Sequence, residues 1–475
     1  MKRIVLAFAA FIGAMTLMQA KVELAPVFAD NMVFQQQSDA AVWGKAEPGA
    51  KVKITTTWSK GKVTAVADAD GKWFARIATP VAGGPYEVTF NDGDKVTLKN
   101  VLVGEVWICS GQSNMAQRMK GYPGQPTAGA TELIACADPA VPIRSCNFDR
   151  QKTFEPVDVC KAVWSVNDPL GVSEASAAAY FFARRVHEAL HIPVGIINVS
   201  WGGTPIEAWM SREVLEKEFA GEFNLEPLQT KVWPAKNPHK VPSVLYNGML
   251  HSLVPFTAKG FLWYQGCDNR MRYEQYKRLQ PAFVKMLREL WGNEKMPFYF
   301  TQIAPYKYGD PNRPETGFMM WAQAQTLDMI PYSGMATTHD AGEFAAIHPA
   351  NKKAVGDRLA YLALQNDYGV KGFEANAPLP SKFEFKDGSA IVHFKVGSKG
   401  VGPTNLELPC FEVAGEDKVF YPGKAMVGKD RKSVIVTSEQ VPVPVAVRYG
   451  MKNWSEASLF NNFGIPASPF RSDNW

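Results

Sequence analysis

The sequence predicts an α/β protein in which a mainly parallel sheet is flanked on both sides by β-rich segments. Three observations lead there. Short alternating strands broken by turns fill the N-terminal part, strands alternate with helical stretches through the middle, and short strands return after Pro378-Leu379-Pro380. A chain of 475 residues exceeds what one hydrophobic core usually serves, so several domains are expected. Hydrophobic residues make up 46% and charged residues 20%, which is the balance of a chain that folds throughout rather than a disordered one. The formal net charge of +5 is small for this length, and no block of Lys and Arg forms a nucleic-acid or anionic-membrane surface.

Taken in order, Lys2 and Arg3 precede an apolar run from Ile4 to Leu17, and Met18-Gln19-Ala20 ends in the small residue that signal peptidase accepts. Residues 1–20 therefore read as a secretory leader, and the mature protein as secreted or periplasmic. The run is too short for a comfortable bilayer crossing, and no later segment is apolar for long enough, so no membrane span is expected after cleavage. Residues 21–103 read as a small β-sandwich, with strands such as Lys51-Val52-Lys53-Ile54-Thr55 separated by Glu47-Pro48-Gly49, Asp70-Gly71 and Gly83-Gly84-Pro85.

From 104 to 375 the texture is that of an α/β domain. Val101 to Cys109, Gly195 to Ser200, Phe261 to Tyr264 and Phe298 to Ile303 read as buried strands. Ala175 to His191, Tyr273 to Trp291 and Ala350 to Leu364 read as helices. Residues 376–475 form a C-terminal β-rich segment with strands such as Ala390 to Phe394 and Val434 to Val436. The six cysteines, at 109, 136, 146, 160, 267 and 410, contain no C-x-x-C pair, which argues against a structural zinc or redox motif. Export permits disulfides, and Cys136, Cys146 and Cys160 cluster in one irregular stretch that can supply one bridge, its pairing unassigned.

Chemistry concentrates at strand exits. The strand ending at Cys109 runs into Ser110-Gly111-Gln112-Ser113-Asn114-Met115, where a serine next to glycine can present its hydroxyl at the carboxyl edge of a parallel sheet. The same serine can also simply cap the next helix. Val199-Ser200-Trp201-Gly202-Gly203-Thr204 offers backbone N–H groups unobstructed by side chains, as an oxyanion hole requires, or merely a tight turn. Phe261-Leu262-Trp263-Tyr264-Gln265-Gly266 ends a strand with an amide side chain able to donate a further oxyanion hydrogen bond. Ile347-His348-Pro349 places one of only seven histidines at a loop-helix junction, where it can face a site and move a proton.

The order and context of these segments, GEVW-ICSGQSNM, SWGGTPIEAW, FLWYQG and IHPANK, resemble the sialate O-acetylesterases and related SGNH carbohydrate esterases. DNMVFQQ, VWGKAEPG, LYNGMLHSLVPF and the closing segment from Pro466 to Trp475 are similar to that family too, so the resemblance spans nearly the whole mature chain. It implies a three-layer α/β/α SGNH hydrolase domain that uses no metal or other cofactor and acts on an O-acetylated carbohydrate. By the resemblance Ser113 is the nucleophile, His348 the base, and Gly203 with the Ser113 N–H and Gln265 the oxyanion hole. The family usually carries an Asp two or three residues before the histidine; here Ala345 and Ala346 stand there, and Cys267 replaces the family's Glu after the third-segment glycine. Glu343 and Asp340, just upstream, are the candidate orienting acids, with a carbonyl or water as alternatives.

O-acetylated sialic acid is the substrate the resemblance favours. The alternatives are acetyl esters of xylan or another plant polysaccharide, or a weakened homologue that only binds carbohydrate. A bidentate Arg for the sialate carboxylate would discriminate among them, and Arg118 and Arg270 follow site segments closely. The β-rich flanks and 13 Trp suit a binding module, although aromatics at this frequency are mostly core. The oligomeric state is left open.

Overall fold

The computed structural model describes residues 21–397 and 399–475; the expected leader, 1–20, lies outside them. The organising element is a 17-residue strand, Lys95–Gly111, buried without interruption from Val101 onwards. Its first part pairs antiparallel with Gly83–Asn91, while its second part pairs parallel with Val194–Ser200 on one side and Gly260–Tyr264 on the other. The boundary expected between 103 and 104 therefore falls inside one continuous strand. Gly104 is needed there, because a Cβ would lie 2.1 Å from the Pro193 carbonyl oxygen.

Across the main sheet the order is Ala162–Ser165, Ile143–Phe148, Val194–Ser200, Lys95–Gly111, Gly260–Tyr264, Phe298–Thr301 and Ser333–Ala336. All neighbours are parallel except the first pair, which is antiparallel. Alternate side chains of the central strand enter two different cores, as the two-residue period of a strand requires. Trp107 and Cys109 pack with Phe182 and Ala183 of the helix Ala177–Leu190 and Leu359 of the helix Lys352–Asn366. Val106 and Ile108 belong with Tyr276 and Phe283 of the helix Tyr273–Trp291.

On the N-terminal side, Glu23–Leu24, Asp39–Lys45 and Lys72–Ala78 form one antiparallel sheet. Trp73, Ala75 and Ile77 alternate inwards from it and share a core with Val52, Ile54 and Phe90. That core is continuous with one face of the main sheet, so the N-terminal strands are packed onto the α/β unit rather than strung beside it. C-terminal strands form two four-stranded sheets around Val392, Val413, Val434, Tyr449 and Phe470, with Trp321 against them. Among the described residues no helix is long and apolar enough to cross a membrane.

All six cysteines are free thiols, which corrects the expected bridge among Cys136, Cys146 and Cys160. Cys136 is exposed at the end of a short helix, whereas Cys146 is buried on its strand and the Cys160 thiol donates to the Asp149 carbonyl at 3.3 Å.

The helix that follows His348 is seated by contact with the helix Ala177–Leu190. Each has a side-chain cap, Asn351 accepting from the Ala354 N–H at 3.1 Å and Ser176 from the Ala179 N–H at 3.4 Å. At Gly356 the two approach so closely that a Cβ would lie 2.5 Å from the Phe181 Cβ and 2.7 Å from the Ala178 carbonyl oxygen. Gly356→Ala, which raises intrinsic helix propensity, is therefore expected to destabilise the protein, by about 1–3 kcal/mol through overpacking. Urea denaturation measures this; a stability gain would contradict the packing described.

Candidate active site

Three strand exits lie side by side. The register pairs Gly111 with Ser200 on one side and with Tyr264 on the other, so the segments starting at Gln112, Trp201 and Gln265 leave the sheet along one row. Gly111 has φ +135° and no room for a Cβ, which would stand 2.3 Å from the Tyr264 carbonyl oxygen. The Gln112 N–H donates to the Tyr264 carbonyl at 3.0 Å, and the Trp201 N–H to the Gly111 carbonyl at 3.0 Å. The chain thus turns sharply and enters the short helix Ser113–Ala116 with Ser113 half-buried.

Against Ser113 lies the glycine turn. A Cβ on Gly202 would sit 3.1 Å from the Ser113 Cβ, so the bare backbone at this position borders the serine directly. Gly203 follows at φ +66°, with the His239 imidazole beyond it stacked parallel on Trp201 at 5.4 Å between ring centres. Burial first, then neighbouring Lys240, holds His239 below the ordinary histidine range.

His348 is brought to the same place by the residue next to Ser113. Asn114 donates its amide to the Ile347 carbonyl at 3.1 Å and accepts from the Lys352 ammonium at 2.7 Å. Lys352 also donates to the Pro349 carbonyl at 2.7 Å. Asn114 and Lys352 thereby clamp both sides of His348 onto the serine turn. Lys352 is 1% exposed, and burial pulls its amine down to about 7 although the Glu343 carboxylate acts in the opposite direction. Tyr122 completes the cluster, donating its hydroxyl to the Ser113 carbonyl at 3.0 Å while its ring lies 5.1 Å from the His348 ring. His348 Nδ1 is hydrogen-bonded to the Gln125 side-chain oxygen. Burial, then Lys352, lowers His348 to about 4, so the imidazole is neutral above that pH and has a free proton acceptor.

Neither candidate acid reaches the imidazole. Asp340 is held bidentately by Arg358, both contacts at 2.6 Å, and Glu343 accepts from the Ala350 N–H at 2.6 Å. Reach along the chain favoured Glu343, but a carboxylate next to an unpaired helix-entry N–H satisfies that donor first. Gln265 is also differently employed from the expectation. It is fully buried, and its amide hydrogens go to the Thr204 carbonyl at 3.0 Å and to Asn269 Oδ1 at 2.8 Å. The Asn269 orientation is set in turn by the Ile206 N–H, at 3.0 Å, and by Glu207, which accepts at 2.8 Å and is paired with Arg272. Gln265 therefore anchors the glycine turn from behind and has no hydrogen left for an oxyanion. Arg118 is paired with Glu174, and Arg270 with Glu315 at 3.4 Å while stacked on Tyr308. Among the described residues no three His, Cys, Asp or Glu side chains are grouped to hold a metal ion.

Sequence reasoning missed Asn114, Tyr122, Gln125 and Lys352. Asn114 and Lys352 lie inside segments already singled out, and a buried-lysine reading of IHPANK would have needed the Asn114 carbonyl that solvates it. Gln125 gives no local signal, because its partner is 223 positions away. The chemistry available is acyl transfer: a serine on a sharp strand-to-helix turn, backbone amides beside it, and a neutral histidine. Gly202→Ala is expected to lower kcat by about 10–100-fold with folding retained, since the atom displaced belongs to Ser113 itself. Steady-state kinetics on an aryl acetate would measure it, and unchanged kcat would remove Gly202 from the site.

The residues assembled here fall within a stretch, 103–365, matched by the family model for carbohydrate esterase, sialic acid-specific acetylesterase. The chain is 31% identical to the sialate O-acetylesterase of Homo sapiens over 392 residues, covering 75% of this chain and 73% of that one. It is 30% identical to the sialate O-acetylesterase of Rattus norvegicus over 513 residues, covering 93% of each. A carbohydrate acetylesterase structure from Xanthomonas citri is similar with a TM-score of 0.86 at 31% identity, over 96% of this chain and all of that one. With more than half its length matched, and Ser113, Gly202 and His348 inside the matched stretch, the chain belongs to the sialic acid-specific acetylesterase family of carbohydrate esterases and is a carboxylic ester hydrolase.

Proposed function

We propose that this protein is an exported serine esterase with an SGNH-type three-layer domain, that Ser113 and His348 carry its reaction, and that it releases acetate from O-acetylated sialic acid. The observation carrying the proposal is the joining of the serine turn, the bare glycine turn and the histidine loop through Gly202, Asn114 and Tyr122. In the reaction His348 Nε2 takes the Ser113 hydroxyl proton as Oγ bonds to the acetyl carbon. Collapse of the tetrahedral species breaks the bond to the sugar oxygen, which receives that proton and leaves as the alcohol. Water then attacks the acetyl-serine with its proton passing to His348 and on to Ser113, giving acetate and the starting enzyme. Backbone N–H groups of the Ser113 and Gly202-Gly203 turns stabilise the oxyanion.

The sialate reading draws on the names of the similar mammalian proteins and on one cation at the site mouth. Arg150 is exposed within hydrogen-bonding reach of the Tyr122 hydroxyl and acts electrostatically on His239. Unlike Arg118 and Arg270, it has no ion pair among the described residues. A guanidinium there suits the carboxylate of an acidic sugar. A neutral acetylated polysaccharide is the second reading, compatible with the similar Xanthomonas citri protein being a carbohydrate acetylesterase.

Ser113→Ala is expected to cut acetate release by about ten-thousandfold or more while leaving the circular dichroism spectrum unchanged. Ser110→Ala should do little, and a lethal Ser110 change would displace the assignment. Arg150→Gln should raise KM for O-acetylated sialic acid at least about tenfold more than for acetylated xylo-oligosaccharide, as befits loss of a charge-assisted pair. Equal shifts on both sugars would favour the neutral-polysaccharide reading.

A further inference from the structure

We propose that Gln125 is the positioning residue of this esterase: a neutral amide, in place of a carboxylate, fixes the tautomer and orientation of His348. The proposal rests on Ser113 and His348 being the reacting pair.

Its basis is the arrangement around the imidazole. The Gln125 side-chain oxygen meets Nδ1, and an oxygen can only accept there. Nδ1 must then carry the hydrogen, which leaves the Nε2 lone pair as the proton acceptor. The opposite tautomer would place the hydrogen on Nε2 and block the base.

The turn that carries Gln125 is itself fixed. Tyr122 and Gln125 exchange backbone hydrogen bonds at 2.9 Å in both directions, and Gln117 donates to the Gln125 carbonyl at 3.4 Å. The Ala128 N–H donates to the Ala350 carbonyl at 2.9 Å, tying this segment to the histidine loop two residues past His348.

Among the described residues, no charged or titratable group is hydrogen-bonded to the ring. Lys352, on the following helix, is held by Asn114 and the Pro349 carbonyl. Glu343 is bound to the Ala350 N–H, and Tyr122 donates to the Ser113 carbonyl with Arg118 and Arg150 beyond it. The amide therefore does what a triad acid does for geometry, without the negative charge that stabilises an imidazolium. Gln125 exchanges no proton: the proton travels from Ser113 to Nε2 and from there to the departing sugar oxygen.

The missing charge sets the pH response. Where a carboxylate would raise the histidine, here burial and Lys352 leave it at about 4, so the base form persists into acid and activity falls only as pH drops through that region. Introducing the acid should reverse this.

The test compares Gln125→Glu, Gln125→Met and His348→Ala on an aryl acetate from pH 3.5 to 9. Gln125→Glu is expected to move the acidic limb of kcat upward by about one unit or more, as an adjacent carboxylate stabilises the protonated ring. Gln125→Met, which keeps the volume and removes the acceptor, should lower kcat by about tenfold or more with KM little changed. If both variants keep the wild-type kcat and acidic limb while His348→Ala is inactive, the proposal for Gln125 is wrong and the Ser-His reading stands. Should His348→Ala retain wild-type turnover, that reading falls and this proposal with it. If Gln125→Met misfolds by circular dichroism, the acidic limb of Gln125→Glu decides alone.

Discussion

Three strand exits lie in one row because a single strand is hydrogen-bonded in parallel on both of its edges. Gly111 is opposite Ser200 on one neighbour and Tyr264 on the other, so a one-residue slip of either strand would turn its side chains to the wrong face and carry its loop away from Ser113. That register is protected at both ends. Gly104 and Gly111 each sit where any side chain would strike a carbonyl oxygen, of Pro193 and Tyr264 respectively. The strand also enters two separate cores, so displacing it would expose apolar surface on both faces at once.

Electrostatically the site is built from neutral and positive groups around the imidazole rather than a buried acid. A desolvated ammonium is costly unless its hydrogens are accepted, and Lys352 satisfies two of them on Asn114 and Pro349. This makes Asn114 a junction: its two ends serve the histidine loop and the lysine, while its backbone follows directly from Ser113. The carboxylates nearby are spent on structure, Asp340 on Arg358 and Glu207 on Asn269 and Arg272.

Much of the fold was readable where the apolar pattern is long. The helix Tyr273–Trp291 has the limits its periodicity gives, and the strands at Val194–Ser200 and Gly260–Tyr264 differ by one residue from the reading. The boundary near 103 was not readable, because the segment from Val101 to Cys109 reads as one buried strand whichever partner it has. In the candidate site, local patterns singled out loops that the structure brings together, those of Ser113 and Gly203 by a strand exit with glycine and that of His348 by a histidine at a loop-helix junction. Side-chain assignments across loops were not legible. Gln265 has the right chemistry for an oxyanion donor, yet the Thr204 carbonyl and Asn269 consume it. Glu343 has the reach for His348, yet the Ala350 N–H is closer to hand.

The unbridged cysteines bear on how the protein is made. With all six sulfurs as thiols and the cores closed by side-chain packing, the native state needs no oxidant or thiol-exchange catalyst to form, and reductant leaves it untouched. Cys109, Cys146 and Cys160 are buried, and burial raises all three thiols far above the reactive range, so alkylating reagents would find them inert while the fold is intact. Exposed Cys136 is the natural attachment point for a spectroscopic label, on the surface of the α/β unit and without disturbance of its interior.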